Sequence, residues 1–324
     1  MTETTENDEF DATLGVGGVT VPRIGYGAMQ LTGPGVIGLP ADPNNAIAVL
    51  QHALDHGVRF FDTANAYGPR TVNQLIGRAL APFGDDVVIG NKVGADRGPR
   101  GEWVTDSRPA TIRAQVEDAL LDLRTERSSL TYLRLWGDSE GRAGSIGADI
   151  PLEDSLGALV DLQHEGKIDR IGISGATASL LARAQQITPI AAVQNRYNLI
   201  DRSGVEVLDA CERDGIAFVP YFPLATGGLG GLAALTGPAR RLGVPESTVA
   251  LAWLLRRSPV ILPIPGTKSV AHLDDNLHAA DIATDLTEAE VRALTDTEDE
   301  TTATPTRMPA RMLDALRRPR NANA

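Results

Sequence analysis

The stretch VRFFDTANAYG, from Val58 to Gly68, organises the chain. It begins with aromatic and β-branched residues, which favour a buried strand. The apolar run ends at Asp62, and Tyr67 follows five residues later in a loop that Gly68 closes. In parallel α/β barrels, reactive side chains stand at the carboxyl ends of the strands and in the loops after them. An acid at a strand end with a phenol in the next loop therefore predicts an active site here.

A second apolar segment, DDVVIGNK, ends on Lys92. The chain has 3 lysines against 27 arginines, so a lysine at the end of a buried strand needs a specific reason. Asp62 can offset the desolvation of the Lys92 ammonium, and the ammonium can stabilise a phenolate at Tyr67. Such a phenol can give a proton to a carbonyl oxygen or take one from an alcohol. A structural Asp–Lys pair with a tyrosine in a nearby loop explains the spacing equally well.

Strand-like and helix-like segments alternate along the chain, eight of each. The predicted strands are 23–28, 57–62, 86–92, 130–135, 168–174, 190–194, 215–221 and 259–264. The predicted helices are 43–56, 70–82, 109–124, 152–166, 177–187, 203–213, 246–257 and 270–279. This alternation predicts an α/β fold, a (β/α)8 TIM barrel with a short N-terminal β-hairpin within 13–22. A doubly wound sheet would need the fingerprint G-x-G-x-x-G, and Gln30 occupies the place of its third glycine.

The ends of the chain differ from its centre in composition. The sequence predicts a disordered acidic arm over 1–11, the barrel over 12–295 and a C-terminal tail over 296–324.

The net charge of −12 argues against nucleic acid as a partner, and no apolar run is long enough to span a membrane. One cysteine and an N-terminus unlike a signal peptide favour the cytoplasm. His52 and His56 have no evident third ligand, so no metal site is expected. A homo-oligomer remains possible from the sequence.

These motifs resemble the aldo-keto reductase family over roughly residues 12–295. The spacing in FDTANAYG and the strand end at Lys92 are similar to that family's catalytic aspartate, tyrosine and lysine. The resemblance implies a (β/α)8 barrel that binds NADPH without a Rossmann fold and reduces a small-molecule carbonyl. It also implies that hydride passes from nicotinamide C4 to the carbonyl carbon while Tyr67 supplies the proton.

One position departs from the family pattern. The fourth strand of such proteins usually ends on a catalytic histidine. In RSSLTYLRLWGD, aligned without a gap, that place falls on Arg134, and a shift of one residue would put Leu135 there. An arginine stays charged at any working pH, so it cannot donate the proton. It can still hold the substrate oxygen and stabilise a phenolate at Tyr67, which makes Arg134 a candidate catalytic residue. A role at the surface or with a structural carboxylate is the alternative.

The resemblance also implies positions that bind the cofactor. Ser174 and Gln194 correspond to residues that hydrogen-bond the carboxamide, Tyr221 to the ring that stacks on nicotinamide, and Lys268 to a ligand of the 2′-phosphate. His272 stands where many members have arginine, which weakens the expected preference for NADPH. The full predicted set is Gly27, Ala28, Met29, Ser174, Gln194, Tyr221, Phe222, Pro223, Leu224, Gly266, Thr267, Lys268, His272, Asp275 and Asn276.

Within the family, five segments resemble bacterial pyridoxal reductases, which reduce pyridoxal to pyridoxine: GYGAMQLTGPGVIGLP, YLRLWGD, AAVQNRYNL, VPYFPL and LPIPGTKSVAHLDDN. A planar pyridine substrate would suit an aromatic pocket, for which Trp103 and Trp136 are candidates; loop packing explains them equally well. Two further functions stay open. One is reduction of a secondary-metabolite ketone, aldehyde or imine, and the other is a cofactor-binding regulatory subunit with little turnover.

Overall fold

The computed structural model describes residues 10–135 and 150–297. Its centre is a sheet of seven parallel strands in the order β3-β4-β5-β8-β9-β10-β11. Two antiparallel hairpins, β1–β2 and β6–β7, lie outside this sheet. The strands are β1 Thr13–Val16, β2 Val19–Pro22, β3 Tyr26–Gly27, β4 Phe60–Ala64, β5 Val88–Val93, β6 Ala95–Arg97, β7 Trp103–Thr105, β8 Leu130–Arg134, β9 Ile171–Ser174, β10 Ala192–Arg196 and β11 Ala217–Tyr221.

Helices follow the parallel strands in sequence, as βα units require. They are α1 Pro43–Asp55, α2 Thr71–Leu80, α3 Pro109–Leu123, α4 Leu152–His164, α5 Ala178–Gln185, α6 Val205–Asp214, α7 Ala233–Leu242, α8 Glu246–Arg257, α9 Val270–Leu277 and α10 Glu288–Asp296. Each predicted helix lies within three residues of an observed one at either end. The helices α7 and α10 and the hairpin β6–β7 were not predicted.

The segment 260–265 lies between the two edge strands of the sheet. On one side the Phe218 amide of β11 donates to the Val260 carbonyl at 2.8 Å. On the other side the Gly25 amide, just before β3, donates to the Pro263 carbonyl at 3.0 Å. These bonds are consistent with a (β/α)8 barrel in which this segment takes the place of the eighth strand.

The prediction of a regular strand over 259–264 was wrong. The segment forms one parallel bridge, between Ile261 and Phe218. Pro259, Pro263 and Pro265 have no N–H group, so the segment cannot donate the regular ladder of hydrogen bonds that defines a strand.

A buried apolar cluster joins the strands of the sheet to the hairpin β1–β2 and to the segment 260–265. This inner cluster consists of Val16, Val21, Phe60, Val88, Leu130, Tyr132, Ala192, Ala217, Val219, Leu262 and Ile264, all buried. The hairpin β1–β2 contributes Val16 and Val21 to it, so the hairpin packs on the strands rather than projecting into solvent. Tyr132 is fully buried, and burial together with the negative charge of Asp62 raises the pKa of its hydroxyl.

We expect Gly172→Ala to destabilise the protein by about 1–3 kcal/mol, because it overpacks this cluster. A Cβ at Gly172 would lie 2.6 Å from the Tyr132 ring and 2.8 Å from the Ala192 carbonyl oxygen. The matched control is Gly157→Ala in α4, where the new Cβ meets no atom within 4 Å and alanine is the better helix former. Urea unfolding midpoints measure both. Equal midpoints for Gly172→Ala and the parent protein would contradict this packing.

No helix among the described residues is long and apolar enough to cross a membrane. Residues 1–9, 136–149 and 298–324 lie outside the described ranges, and with them most of the predicted arm and tail and the candidate Trp136. Within the predicted arm, the ring of Phe10 lies 5.3 Å from the guanidinium of Arg23.

Candidate active site

Asp62 and Lys92 form a buried ion pair on the neighbouring strands β4 and β5. The Lys92 ammonium donates to both carboxylate oxygens of Asp62 at 2.7 Å and to the Thr63 carbonyl at 2.9 Å. The amide of Gln194 on β10 donates to the same carboxylate at 2.7 Å. The side chains of Lys92 and Asp62 are 3% and 4% exposed. Because each ammonium proton has an acceptor, the pair offsets much of the cost of burying its charges.

Tyr67 presents its ring to this pair. The ring centroid lies 5.0 Å from the Lys92 Nζ, and the residue is 5% exposed. Strand β4 continues to Ala64, two residues beyond the predicted end, and Tyr67 lies in the turn that follows. Gly68 has φ +100°, and a Cβ there would lie 2.3 Å from that of Thr71, so this turn requires glycine. The fold thus brings together Asp62, Tyr67 and Lys92, the three side chains that the sequence predicted to lie close to each other.

A buried polar network fixes the turn that carries Tyr67. The Thr63 hydroxyl donates to Asn73 at 2.7 Å, Asn73 to Asn91 at 3.1 Å, and Asn91 to Asn65 at 2.8 Å. The Asn65 amide in turn donates to the backbone carbonyl of Gln115 in α3 at 2.7 Å. The network links β4, β5, α2 and α3 behind the ion pair, and satisfied networks of this kind hold a single geometry.

Trp103 on β7 packs beside the tyrosine. The two rings meet edge to face, with centroids 6.4 Å apart. Arg134, the last residue of β8, places its guanidinium carbon 4.8 Å from the Trp103 ring centroid. Arg134 is partly exposed and lines the cavity described below. The position where the sequence lacks the usual histidine therefore faces the cavity and not the outer surface.

Arg97 is a residue of this region that sequence reasoning missed. It pairs with Trp103 across the β6–β7 hairpin, and its guanidinium carbon lies 4.2 Å from the Trp103 ring centroid. Its Nη2 donates to the Gly35 carbonyl at 2.7 Å. Burial, and secondarily the positive charge of Arg134, lower the pKa of Arg97 to about 10. The turn residues Gly98, Pro99 and Gly101 could have indicated the hairpin from sequence.

A cavity of about 1010 Å³ occupies the carboxyl end of the sheet. Asp62, Tyr67, Lys92, Trp103 and Arg134 line one part of it. The volume lies at the upper end of the ~300–1,000 Å³ typical of small-molecule sites. It leaves room for an extended ligand in addition to a small substrate.

Nine of the predicted cofactor residues line the same cavity: Gly27, Met29, Ser174, Gln194, Tyr221, Phe222, Pro223, Leu224 and Gly266. They provide a hydroxyl, an amide and an aromatic ring near the ion pair, and a loop that runs away from it. Phe222, Ala225 and Thr226 in that loop have positive φ, between 47° and 55°, a conformation that non-glycine residues rarely adopt. Strain of this kind concentrates at loops that clamp ligands.

The other predicted cofactor residues do not line the cavity: Ala28, Thr267, Lys268, His272, Asp275 and Asn276. Ala28 is fully buried in the core, and the Lys268 ammonium donates to the Thr32 carbonyl at 3.0 Å. Asp275 accepts a bond from the Thr248 hydroxyl through its backbone carbonyl at 3.0 Å. That bond joins α9 to the first turn of α8, beside the cavity residues Glu246 and Ser247.

Several lining residues had no signal in the sequence. They are Gln30, Val36, Arg196, Asp201, Ser203, Glu246 and Ser247. Among them, Arg196 ends β10 and pairs with Asp201 at 3.2 Å, and its guanidinium carbon lies 5.3 Å from the Phe222 ring centroid. They come from separate loops, so only the folded chain places them together.

Comparison with known proteins identifies one family. Residues 23–299 match the model of the aldo/keto reductase family. The chain is 45% identical over 271 residues to the pyridoxine 4-dehydrogenase of Escherichia coli, covering 82% of this chain and 92% of that protein. It is 36% identical over 287 residues to an uncharacterized oxidoreductase of Schizosaccharomyces pombe, covering 87% and 90% of the two chains.

Solved structures show the same likeness. An aldo-keto reductase from Klebsiella pneumoniae in complex with NADPH has a TM-score of 0.72 and 26% sequence identity, covering 92% of this chain and 97% of that one. The family match over residues 23–299 includes all seven parallel strands and the residues that line the cavity.

Proposed function

The chain belongs to the aldo/keto reductase family and is an oxidoreductase, and from that premise we propose that it reduces pyridoxal to pyridoxine with NADPH. The observation that carries the proposal is the buried Asp62–Lys92 pair against the Tyr67 ring at the wall of a large cavity. In the same proposal, residues 12–295 form one closed (β/α)8 barrel, with the hairpin β1–β2 packed on it and 296–324 as a tail.

The lining of the cavity suits NADPH. Ser174 and Gln194 offer a hydroxyl and an amide for the carboxamide, and the ring of Tyr221 offers a surface for the nicotinamide. The loop from Phe222 to Leu229, with Arg196 beside it, suits the pyrophosphate. When bound, NADPH supplies the hydride that reduces the carbonyl carbon. In this proposal Thr267, Lys268, His272, Asp275 and Asn276 serve the adenosine end, next to Glu246 and Ser247.

Tyr67 donates the proton in this mechanism. As the carbonyl carbon is reduced, negative charge develops on its oxygen, and a phenol within hydrogen-bond distance can transfer its proton to that oxygen. The Lys92 ammonium, 5.0 Å from the ring centroid, stabilises the phenolate that remains. In the reverse direction the phenolate takes the proton of an alcohol.

Asp62 holds the ammonium in place, since it receives two of its three hydrogen bonds. Gln194 contacts both Asp62 and the cavity, which connects the ion pair to the carboxamide end of the cofactor site. Arg134 takes the place of the usual histidine as an electrostatic group. Its fixed positive charge stabilises the developing oxyanion without giving up a proton.

Pyridoxal is the proposed substrate for two reasons. One is the 45% identity to the E. coli pyridoxine 4-dehydrogenase over most of both chains. The other is Trp103, which lines the cavity beside Tyr67 and makes the substrate end of the cavity aromatic. Trp136 remains part of the proposal as a second aromatic group.

We expect pyridoxal to be reduced with a kcat/KM at least about 10-fold above that of simple aldehydes and ketones of similar size, since the cavity adds specific contacts. The measurement is oxidation of NADPH, followed by its absorbance, with pyridoxal beside such a panel. NADH in place of NADPH tests the effect of His272. Turnover of the panel without preference would point to another carbonyl substrate, and tight NADPH binding with no turnover would point to a regulatory subunit.

A further inference from the structure

Two guanidinium groups stack on one indole at the substrate end of the cavity. The guanidinium carbons of Arg97 and Arg134 lie 4.2 and 4.8 Å from the Trp103 ring centroid. The Tyr67 ring contacts the same indole edge to face. Tyr67 and Arg134 also line one cavity, so a substrate that touches the phenol lies in the electrostatic field of both cations.

Arg97 has hydrogen-bonding capacity that the described residues do not use. Its Nη2 bonds the Gly35 carbonyl, whereas its Nε and Nη1 are buried and without a hydrogen-bond partner among residues 10–135 and 150–297. Buried donors of a charged group are costly when unpaired. Asp96 and Glu102 are the carboxylates whose charges act on Arg97, but among the described residues neither accepts a hydrogen bond from its guanidinium, and Glu102 pairs with Arg100. A negative charge bound nearby would therefore be strongly favoured.

Building on the proposed reduction of an aromatic aldehyde, we propose that the Arg97–Trp103–Arg134 stack selects an aldehyde with an ionised hydroxyl on the neighbouring ring carbon. A guanidinium presents pairs of N–H donors in a planar fork. The oxygen of an aromatic aldehyde and an oxyanion on the neighbouring ring carbon can lie in one plane and face the same way, which is the arrangement such a fork binds. Arg134 binds this pair of oxygens.

Arg97 is a positioning residue in this account. It lies over the Trp103 ring and bonds the Gly35 carbonyl, so it ties the hairpin β6–β7 to the loop at Gly35 and fixes the indole that Arg134 contacts. Its charge also adds to the positive potential at the oxyanion. Both effects favour an ionised substituent over a neutral one.

The test compares three aldehydes that differ in one substituent: 3-hydroxypyridine-4-carbaldehyde, 3-methoxypyridine-4-carbaldehyde and pyridine-4-carbaldehyde. The methoxy compound keeps an oxygen of similar size but cannot ionise. We expect kcat/KM for the hydroxy compound to exceed that for the methoxy compound by roughly 10- to 100-fold, the range of one charge-assisted hydrogen bond. Oxidation of NADPH is the readout for all three.

Variants then locate the origin of the preference. Arg134→Gln is expected to reduce the hydroxy-to-methoxy ratio to about one, and Arg97→Gln to lower it severalfold, with Arg97→Lys in between because the charge is kept. The matched control is Arg100→Gln in the same hairpin loop. The Arg100 side chain is 85% exposed, and its one ion pair, with Glu102, is long at 3.7 Å. Removing its charge should therefore leave the hydroxy-to-methoxy ratio unchanged.

The outcomes are distinct. A ratio near one in the parent protein, or a high ratio that survives in both Arg134→Gln and Arg97→Gln, overturns the inference while the reductase activity stands. Loss of the ratio in Arg100→Gln as well would also overturn it, because any nearby positive charge would then suffice. If none of the three aldehydes nor pyridoxal is reduced, the proposed function itself fails.

Discussion

Tyr67→Phe is expected to lower kcat for pyridoxal by about 10³-fold, within the 10²–10⁴ range of general acid catalysis. The variant keeps the ring against the Lys92 ammonium and against Trp103, and removes the hydroxyl alone. Within the described ranges that hydroxyl makes no hydrogen bond, so folding should be unaffected. Steady-state kinetics with pyridoxal and NADPH measures the loss.

Two controls separate chemistry from binding in this variant. The melting temperature should match that of the parent protein, and NADPH should bind with the same Kd, followed by quenching of tryptophan fluorescence. Unchanged turnover would remove Tyr67 as the proton donor. A large loss of NADPH affinity would instead make Tyr67 a cofactor contact.

Lys92→Met is expected to abolish measurable turnover and to destabilise the fold by about 3–5 kcal/mol, the usual result of removing one partner of a buried ion pair. The Asp62 carboxylate would keep the bond from Gln194 but lose both bonds from the ammonium. Tyr67 would lose the cation that stabilises its phenolate. Urea unfolding and kinetics with pyridoxal measure the two effects separately.

The matched control for Lys92→Met is Lys167→Met. Lys167 makes an ion pair with Glu117 at 2.7 Å, but both side chains are substantially exposed, so little change in stability or activity is expected. The double variant Asp62→Asn/Lys92→Met should recover part of the stability and none of the activity, because it removes the unpaired carboxylate and leaves the phenol without its cation. A stable Lys92→Met variant would contradict the burial of the pair.

Most of the helices and strands that carry the site were predictable from the sequence, since they have an apolar pattern with clear ends. Helix α7 escaped prediction because Gly237 and Pro238 interrupt it, and the eighth segment was taken for a strand although its prolines prevent a ladder. Residue spacing alone indicated that Asp62, Tyr67 and Lys92 would meet. Asp62 and Lys92 lie near the ends of neighbouring parallel strands, and Tyr67 lies in the turn that follows the first of them.

The rest of the site depends on distances that no local pattern encodes. Arg97 contacts Trp103 because the two residues are paired across the hairpin β6–β7. The strands of this hairpin have three residues each, too few to show an apolar pattern in the sequence. Arg196, Asp201 and Glu246 reach the cavity from different loops. Lys268 was expected at a phosphate, and its bond to the Thr32 carbonyl depends on how the loop 28–36 folds over β3.

The most direct test of the proposed reaction is the transfer of deuterium from NADPH labelled at both C4 positions to pyridoxal. We expect the parent protein to yield pyridoxine with one deuterium on its new alcohol carbon, one molecule for each NADPH oxidised. Tyr67→Phe is expected to yield about 10³-fold less in the same time. Pyridoxine without deuterium, or NADPH oxidised with no pyridoxine formed, would contradict it.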